Sequence, residues 1–267
     1  MPHRVKSHRS VQMVKRKEER TNDMAQKIKG KCKFCGKQYT FSYMNKLLPT
    51  CKERQSQLAA DTGMKQCGYF ELAICFAYSR DYWMFIEIKD TATLRDIDTF
   101  LRDIWLECCG HLSAFDIDGI SYDIDPEESS AWGEPARSMN CKLSTVLRKG
   151  MTFGYEYDFG DTTVLTITVV NYRIKNWKKE KLTILSRNNP HEYVCEECGE
   201  KPAALLCAMC YCEGGYGFLC EDCGKTHSCG EEMLLDVCNS PRMGVCGYCG
   251  SKRYPDQFVS DVEMNVK

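Results

Sequence analysis

Eight cysteines and one histidine fall between Val194 and Cys229, close enough together either to cross-link a secreted module or to hold metal. From residue 195 onward four cysteine pairs have the form C-x2-C: Cys195 with Cys198, Cys207 with Cys210, Cys220 with Cys223, and Cys246 with Cys249. Two thiolates at that spacing can bite one tetrahedral ion from a tight turn, and Gly199, Gly224 and Gly250 stand where the backbone must turn under the second sulfur. One such pair would also suit a redox dithiol, but several in series, with no thioredoxin-type strand and helix around them, point to metal. The order C-x2-C-x8-C-x2-C-x9-C-x2-C-x3-H-x-C supplies eight ligands, hence two tetrahedral sites. Sequential pairing would squeeze Cys220, Cys223, His227 and Cys229 into ten residues, with little chain left to wrap an ion. Interleaved pairing is easier: Cys195, Cys198, Cys220 and Cys223 at one site, Cys207, Cys210, His227 and Cys229 at the other. Both sites would be closed to substrate, so two Zn2+ ions are expected in structural roles. Cys212 is a spare thiol that could replace Cys229. For Cys238, Cys246 and Cys249 two readings stay open: a third site completed by a borrowed ligand, or small buried hydrophobes.

In ligand order and loop lengths this segment resembles the B-box and related cross-brace zinc modules. A second candidate lies near the start, in "CKFCGKQYTFSYMNKLLPTC". Cys32 and Cys35 form a C-x2-C-G knuckle, an aromatic follows at Tyr39, and a helix-like stretch leads to Cys51, as in a short C2H2 or C2HC finger. Leu47 stands where such a finger carries histidine, so the fourth ligand is missing from the motif. Two readings remain: Cys67 supplies it from a distance, or the site is degenerate.

These clusters need a scaffold, and the chain is long enough for one. Its 267 residues, 43% hydrophobic and 27% charged, suit one ordinary core with small satellite modules. No apolar run of about 18 residues suggests a membrane helix, and the first thirty residues are basic without the apolar block of a signal peptide. A cytoplasmic protein with reduced thiols is expected.

Between the cysteine regions the patterning is α+β. "FELAICFAY" alternates with the period of a half-buried strand, and "YWMFIEIK" after it predicts a hairpin from about Phe70 to Lys89. "TATLRDIDTFLRDIWLECC" places Leu94, Ile97, Leu101, Ile104 and Cys108 on one helical stripe, with Thr93 and Asp96 as a capping box. Asp118-Gly119 predicts a two-residue hairpin turn. "KLSTVLRKG" predicts a short helix ended by Gly150. Two strands folded about "DFGD" and a last strand "KLTILS" complete an antiparallel sheet. The helix followed by "HLSAFDIDGISYD", and above all "YEYDFGDTTVLTITVV", are similar to the plasmid pRiA4b ORF-3-like family over about residues 66 to 188. That resemblance implies an α+β fold with an antiparallel sheet and packed helices, and an association with plasmids or insertion elements, without defining an activity. Thr163 departs from it, since many members carry tryptophan or another large residue there, and the Leu47 position departs in the first finger. The organisation expected is a basic arm (1-28), a zinc-finger-like segment (29-60), the α+β domain (66-188), a cysteine-rich zinc module (189-250) and a tail (251-267).

No catalytic residue is assigned. "YDFGD" shares letters with the kinase magnesium motif, but no glycine-rich phosphate loop, paired lysine or H-R-D loop accompanies it. Asp158 and Asp161 flank a glycine, which suits turn chemistry. His111, alone in this domain, reads as structural, and no serine or tyrosine nucleophile stands among clustered arginines, so recombinase chemistry is not expected. Charge is segregated: residues 1 to 54 carry fifteen Lys or Arg against four Asp or Glu, whereas residues 81 to 161 carry seventeen acidic against seven basic. The basic end, with Lys15, Arg16, Lys17, Lys27, Lys29, Lys31 and Lys33, suits a polyanion such as nucleic acid, or a solvated extension, or an intramolecular contact with the acidic domain. "RIKNWKKEK" adds Trp177 among lysines, a stacking group or an exposed hairpin tip. Two functions follow: a non-catalytic, zinc-binding, nucleic-acid-binding accessory protein linked to mobile elements, or a zinc-stabilised adaptor for another protein. No membrane and no small-molecule substrate is expected.

Overall fold

The computed structural model describes residues 28–60, 63, 65–127 and 136–254. Lys15, Arg16, Lys17 and Lys27 lie outside the described residues, as do most of the basic arm and tail.

The centre is one ten-stranded, mostly antiparallel sheet in the order β2-β1-β10-β4-β3-β9-β8-β5-β6-β7. Its longest strands are β3 (Gln66–Phe76) and β9 (Thr163–Asn176), paired antiparallel along their whole shared length. The hairpin partner of β3 is β4 (Trp83–Lys89). Next to β9 come β8 (Thr152–Tyr157), β5 (Ser113–Ile117), β6 (Ile120–Asp123) and β7 (Arg137–Ser138), the last pairing parallel. The β5–β6 turn has Asp118 and Gly119 at φ 53° and 76°, the left-handed pair that a two-residue hairpin needs. On the other flank, β10 (Leu182–Asn188) bridges β4 to β1 (Lys29–Cys32), and β2 (Gln38–Thr40) closes the edge. The finger-like segment therefore extends the central sheet.

Helix α1 (Phe41–Thr50) and α2 (Lys52–Ala60) follow β2. They explain one departure from the alternation. Read as half-buried, β3 is in fact buried on both faces over most of its length, as is β4, because α1 covers the second face. Leu72, Ile74, Met84, Ile86 and Ile88 belong to the main core, while Ala73, Trp83 and Phe85 pack with Met44 and Leu48 of α1. Arg54 of α2 is buried beside them and donates to Glu71 at 2.7 Å, with Glu87 at 3.4 Å; Arg173 and Lys175 complete the pairing. Two carboxylates in a sheet interior need such partners. Arg54 thus drops out of the basic surface.

On the opposite face lies α3 (Leu94–Leu101), started by the expected capping box: Asp96 N–H donates to Thr93 Oγ1 at 3.2 Å, and Thr93 N–H donates to Asp96 Oδ2 at 2.9 Å. The chain continues as a π-helical turn (Arg102–Leu106) that buries Ile104, Trp105 and Leu106, then becomes extended at Glu107. Cys108 consequently falls beyond the helix on which the apolar stripe placed it. A single helical turn, α4 (Leu143–Val146), follows β7.

Another departure concerns residues 177 to 181. Since β4 and β3 separate β10 from β9, this stretch is a crossover and not a hairpin tip. Trp177 is 45% exposed, with Lys65 and Lys89 Nζ at 4.9 and 4.2 Å from the ring centroid.

Downstream, three very short strands, β11 (Leu205–Cys207), β12 (Phe218–Leu219) and β13 (Leu234–Asp236), form a separate sheet in the order β12-β11-β13. Two short helices join in, α5 (Ala208–Gly214) and α6 (Glu221–Gly224).

Candidate metal centres

The cysteine-rich module folds so that its eight ligands meet as two interleaved quartets. Cys195, Cys198, Cys220 and Cys223 form one, and Cys207, Cys210, His227 and Cys229 the other, with the ligand atoms of each within 4.8 Å of one another. Cys195 and Cys198 flank a turn whose N–H donors point back: Gly199 N donates to Cys195 O at 2.9 Å, and Gly199 has φ 72°, which only glycine adopts freely. Gly224 serves another purpose, since a Cβ there would lie 2.6 Å from Leu205 Cδ1. The second knuckle, Cys207 and Cys210, spans the junction of β11 and α5; the third, Cys220 and Cys223, spans the start of α6.

The spacing of the sulfurs is chemical information. Cys210 Sγ lies 3.6 Å from Cys229 Sγ and 3.4 Å from His227 Nε2. With zinc–sulfur bonds of about 2.3 Å, a tetrahedron has sulfur–sulfur edges of about 3.8 Å. A disulfide would need about 2.05 Å, and all nineteen cysteines are free thiols. His227 Nε2 faces the sulfurs while Nδ1 faces Glu197 Oε2 at 4.0 Å, a carboxylate in position to orient the ring.

Protonation behaviour agrees with crowded ligands. Burial raises the Cys195 thiol, but the backbone amides of Cys198, Cys220 and Glu197 aimed at its sulfur outweigh it and bring it down to about 6. Cys223 is pushed up to about 12, first by its hydrogen bond with Cys220 and then by burial and the remaining sulfurs. Cys210 rises to about 12 through burial and through Cys229 and Cys207. A cation among the sulfurs would favour their thiolate forms.

The N-terminal cluster holds three sulfurs, Cys32, Cys35 and Cys51. Cys32 ends β1, Cys35 follows in the knuckle, and Cys51 caps the C-terminus of α1. Leu47 packs against the second core beside Met44 and Leu48, so its position faces apolar side chains. Cys67 does not complete the site: it opens β3 and its Sγ lies 3.7 Å from Asp90 Oδ1. The carboxylate that reaches the cluster is Glu53, whose Oε2 is 3.4 Å from Cys51 Sγ. Burial, with Glu53 and Cys32 adding to it, raises Cys51 to about 12.

The trailing cysteines separate. Cys238 is buried among Leu206, Phe218, Met243 and Tyr248; Cys249 and Cys212 are exposed and belong to no quartet. Cys246 alone joins a group, meeting Cys108, Cys109 and His111 from the central domain. This third quartet is invisible as a motif. Cys108 was read as a helix-stripe residue and His111 as a lone structural histidine, and the only local signal was the C-C-x-H run itself.

Beside it, the "DFGD" turn does structural work. Asp158, at φ 66°, accepts from Gly160 N at 3.0 Å and pairs through Oδ2 with the fully buried Arg242. Arg242 also donates to Asp161 O at 2.9 Å and Thr163 Oγ1 at 3.1 Å. Thr163 is thus part of the socket for that guanidinium. Tyr157 lies between two guanidiniums, each 4.8 Å from its ring centroid, those of Arg102 and Arg242.

Of the lysines expected to meet a polyanion, Lys29 and Lys31 are exposed on β1, alternating with buried Gly30 and Cys32, and Lys33 is half-buried in the knuckle.

Residues 77–204 match the plasmid pRiA4b ORF-3-like protein family. The pRiA4b ORF-3-like match starts inside the β3–β4 hairpin and reaches the first knuckle of the cysteine-rich module, leaving the N-terminal cluster and most of that module outside it. No curated protein matches. Among solved structures, a protein of unknown function from Methanosarcina mazei Go1 is similar at 20% identity with a TM-score of 0.35, covering 50% of this chain and 75% of that one. Among the described residues, no helix is long and apolar enough to cross a membrane.

Proposed function

We propose that the chain is a non-catalytic, zinc-stabilised protein of the cytoplasm that binds nucleic acid through its N-terminal end. Zinc is the ion expected from sulfur-rich quartets with at most one imidazole, closed against substrate. The observation that carries the binding reading is the outward face of α1. Tyr43 is 64% exposed there, stacks on Tyr39 with centroids 6.2 Å apart, and has Lys46 Nζ 5.9 Å from its ring centroid. An exposed ring with cations beside it offers a base a stacking partner while Lys29, Lys31, Lys37 and Lys52 of the same segment, all exposed, attract phosphates. The basic stretch before it, with Lys15, Arg16, Lys17 and Lys27, would add sequence-independent attraction. The family's plasmid-derived description supports an association with mobile elements.

A second reading has its own observation. The cysteine-rich module exposes Met209, Tyr211 and Tyr216 on and just after α5, with Val194 exposed in the same module. Such a surface suits an adaptor that docks another protein. Titrating single-stranded and duplex nucleic acid with the full chain, with a chain lacking residues 1–28 and with Tyr43→Ala separates the two. Nucleic-acid binding predicts affinity that falls steeply with salt, by about 0.9 log unit per log unit of salt for each phosphate neutralised on duplex DNA, and that weakens in both variants. Absence of binding at low salt would leave the adaptor.

A further inference from the structure

We propose that Cys108, Cys109, His111 and Cys246 form a further metal centre of the zinc class, a Cys3His site that clasps the C-terminal segment to the end of the central helix. It lies apart from the three clusters that the C-x2-C motifs announce, and it is independent of nucleic-acid binding.

The distances suit one ion. Cys109 Sγ lies 3.9 Å from Cys108 Sγ and 3.7 Å from Cys246 Sγ, and His111 Nε2 lies 3.1 Å from Cys109 Sγ and 3.3 Å from Cys246 Sγ. These are close to the edges of a tetrahedron about an ion with bonds of about 2.0 to 2.3 Å. All four ligand atoms lie within 4.8 Å of one another. The same Nε2 is 3.4 Å from Asp158 Oδ2, which Arg242 already holds, so a carboxylate flanks the group without having to leave its partner.

Backbone conformation brings the fourth ligand in. Cys246 has φ 50°, a left-handed conformation that a residue with a Cβ adopts at a cost, and Gly247 follows at φ 67°. That turn sets the Cys246 sulfur against Cys109 and His111 of the central domain, in a group that does not include Cys249, its motif partner.

The surrounding contacts show what the clasp would fasten. Where the π-helical turn ends, its carbonyls lack intrahelical donors, and the C-terminal segment supplies them. Ser240 Oγ donates to Trp105 O at 2.6 Å, Tyr248 OH to Ile104 O at 3.4 Å, and Ser251 Oγ to Asp103 O. Cys108 and Cys109 emerge immediately after that turn. An ion bound by ligands from both sides would close a loop of well over a hundred residues at the place where these hydrogen bonds form.

Native mass spectrometry of the full chain, purified without chelator and supplied with zinc, tests this. Cys246→Ser should carry one ion fewer than the unaltered chain. Cys198→Ser, in the module's own quartet, should lose an ion whether or not the clasp exists, so a failure of the module reading shows separately. Should Cys246→Ser shed more than one ion through misfolding, Cys109→Ser, at an exposed position, must by itself lack one. With cobalt in place of zinc, the clasp variants should lose part of the thiolate-to-metal absorption, and amide exchange over 238–254 should quicken. An ion count unchanged in Cys246→Ser or in Cys109→Ser overturns the proposal.

Discussion

The central domain and the cysteine-rich module reach order by different physics. The main core of the first contains 26 buried residues, nearly all aliphatic or aromatic, between the sheet and α3. The module has two clusters of five: Cys195, Cys207, Cys210, Leu219 and Cys220 in one, and Leu206, Phe218, Cys238, Met243 and Tyr248 in the other, so half of the ten are cysteines. Burial of a large apolar side chain is worth about 1.5–3 kcal/mol, so the central core can offset the entropy of ordering its chain. Five apolar side chains besides the cysteines offset far less. The module's strands are two or three residues long, too short to stand alone. Metal coordination would supply the remainder, since a structural zinc site contributes roughly 10–16 kcal/mol in zinc-finger peptides.

The widest separation between the two regions should appear on metal removal. Chelator treatment, or Cys220→Ser, is expected to abolish amide protection over 195–229 while the β3, β4 and β9 amides stay protected by hydrogen exchange. A module that keeps full protection without metal would erase the distinction drawn here. In the opposite direction, Trp105→Ala should destabilise the central domain by about 3–5 kcal/mol, since the ring is fully buried against the core. Urea unfolding followed on the central sheet should show that loss while the count of bound zinc stays the same.

Smaller effects sharpen the comparison within the central domain. Thr93→Ala removes half of the capping box and should cost about 1 kcal/mol, read as a lower urea midpoint with an unchanged slope. The pH dependence is finer still. Burial raises the Asp96 carboxyl, but Lys181 and the Thr93 backbone and hydroxyl outweigh it, and the folded pKa lies below the ordinary value. Stability from this group is therefore present above the unfolded pKa, about 3.9, and is lost as pH falls through the folded value. The stability gap between the unaltered chain and Asp96→Asn should accordingly narrow below about pH 4. A gap that widens on acidification would reverse the assigned sign.

Local patterns were legible wherever one element's chemistry is contained in a few neighbouring residues. Thr93 and Asp96 announce their helix start, Asp118-Gly119 its hairpin, and the alternation from Phe153 to Val169 its pair of strands. The interleaving of the two module quartets followed from chain reach alone. Alternation in β3 and β4 underestimated burial, because nothing within those strands says that α1 covers their second face. Trp177 looked like the tip of a hairpin because sequence neighbours usually pair, whereas β10 crosses two strands to reach β4. Leu47 stands at the ligand position by spacing, yet the carboxylate near Cys51, Glu53, belongs to the next helix and carries no metal motif.

What the amino-acid order determined by itself is the module's three knuckles, since two thiols separated by two residues can reach one ion across a short turn. Only tertiary structure decided the company of Cys246. It passes over Cys249, its partner by spacing, and meets Cys109 and His111 across a separation of 137 and 135 residues. That pairing exists because Ser240, Tyr248 and Ser251 dock on the carbonyls at the end of the π-helical turn and because Arg242 fills a socket made by Asp158 and Thr163. Each of those contacts depends on the finished sheet, and no run of neighbouring residues could encode them.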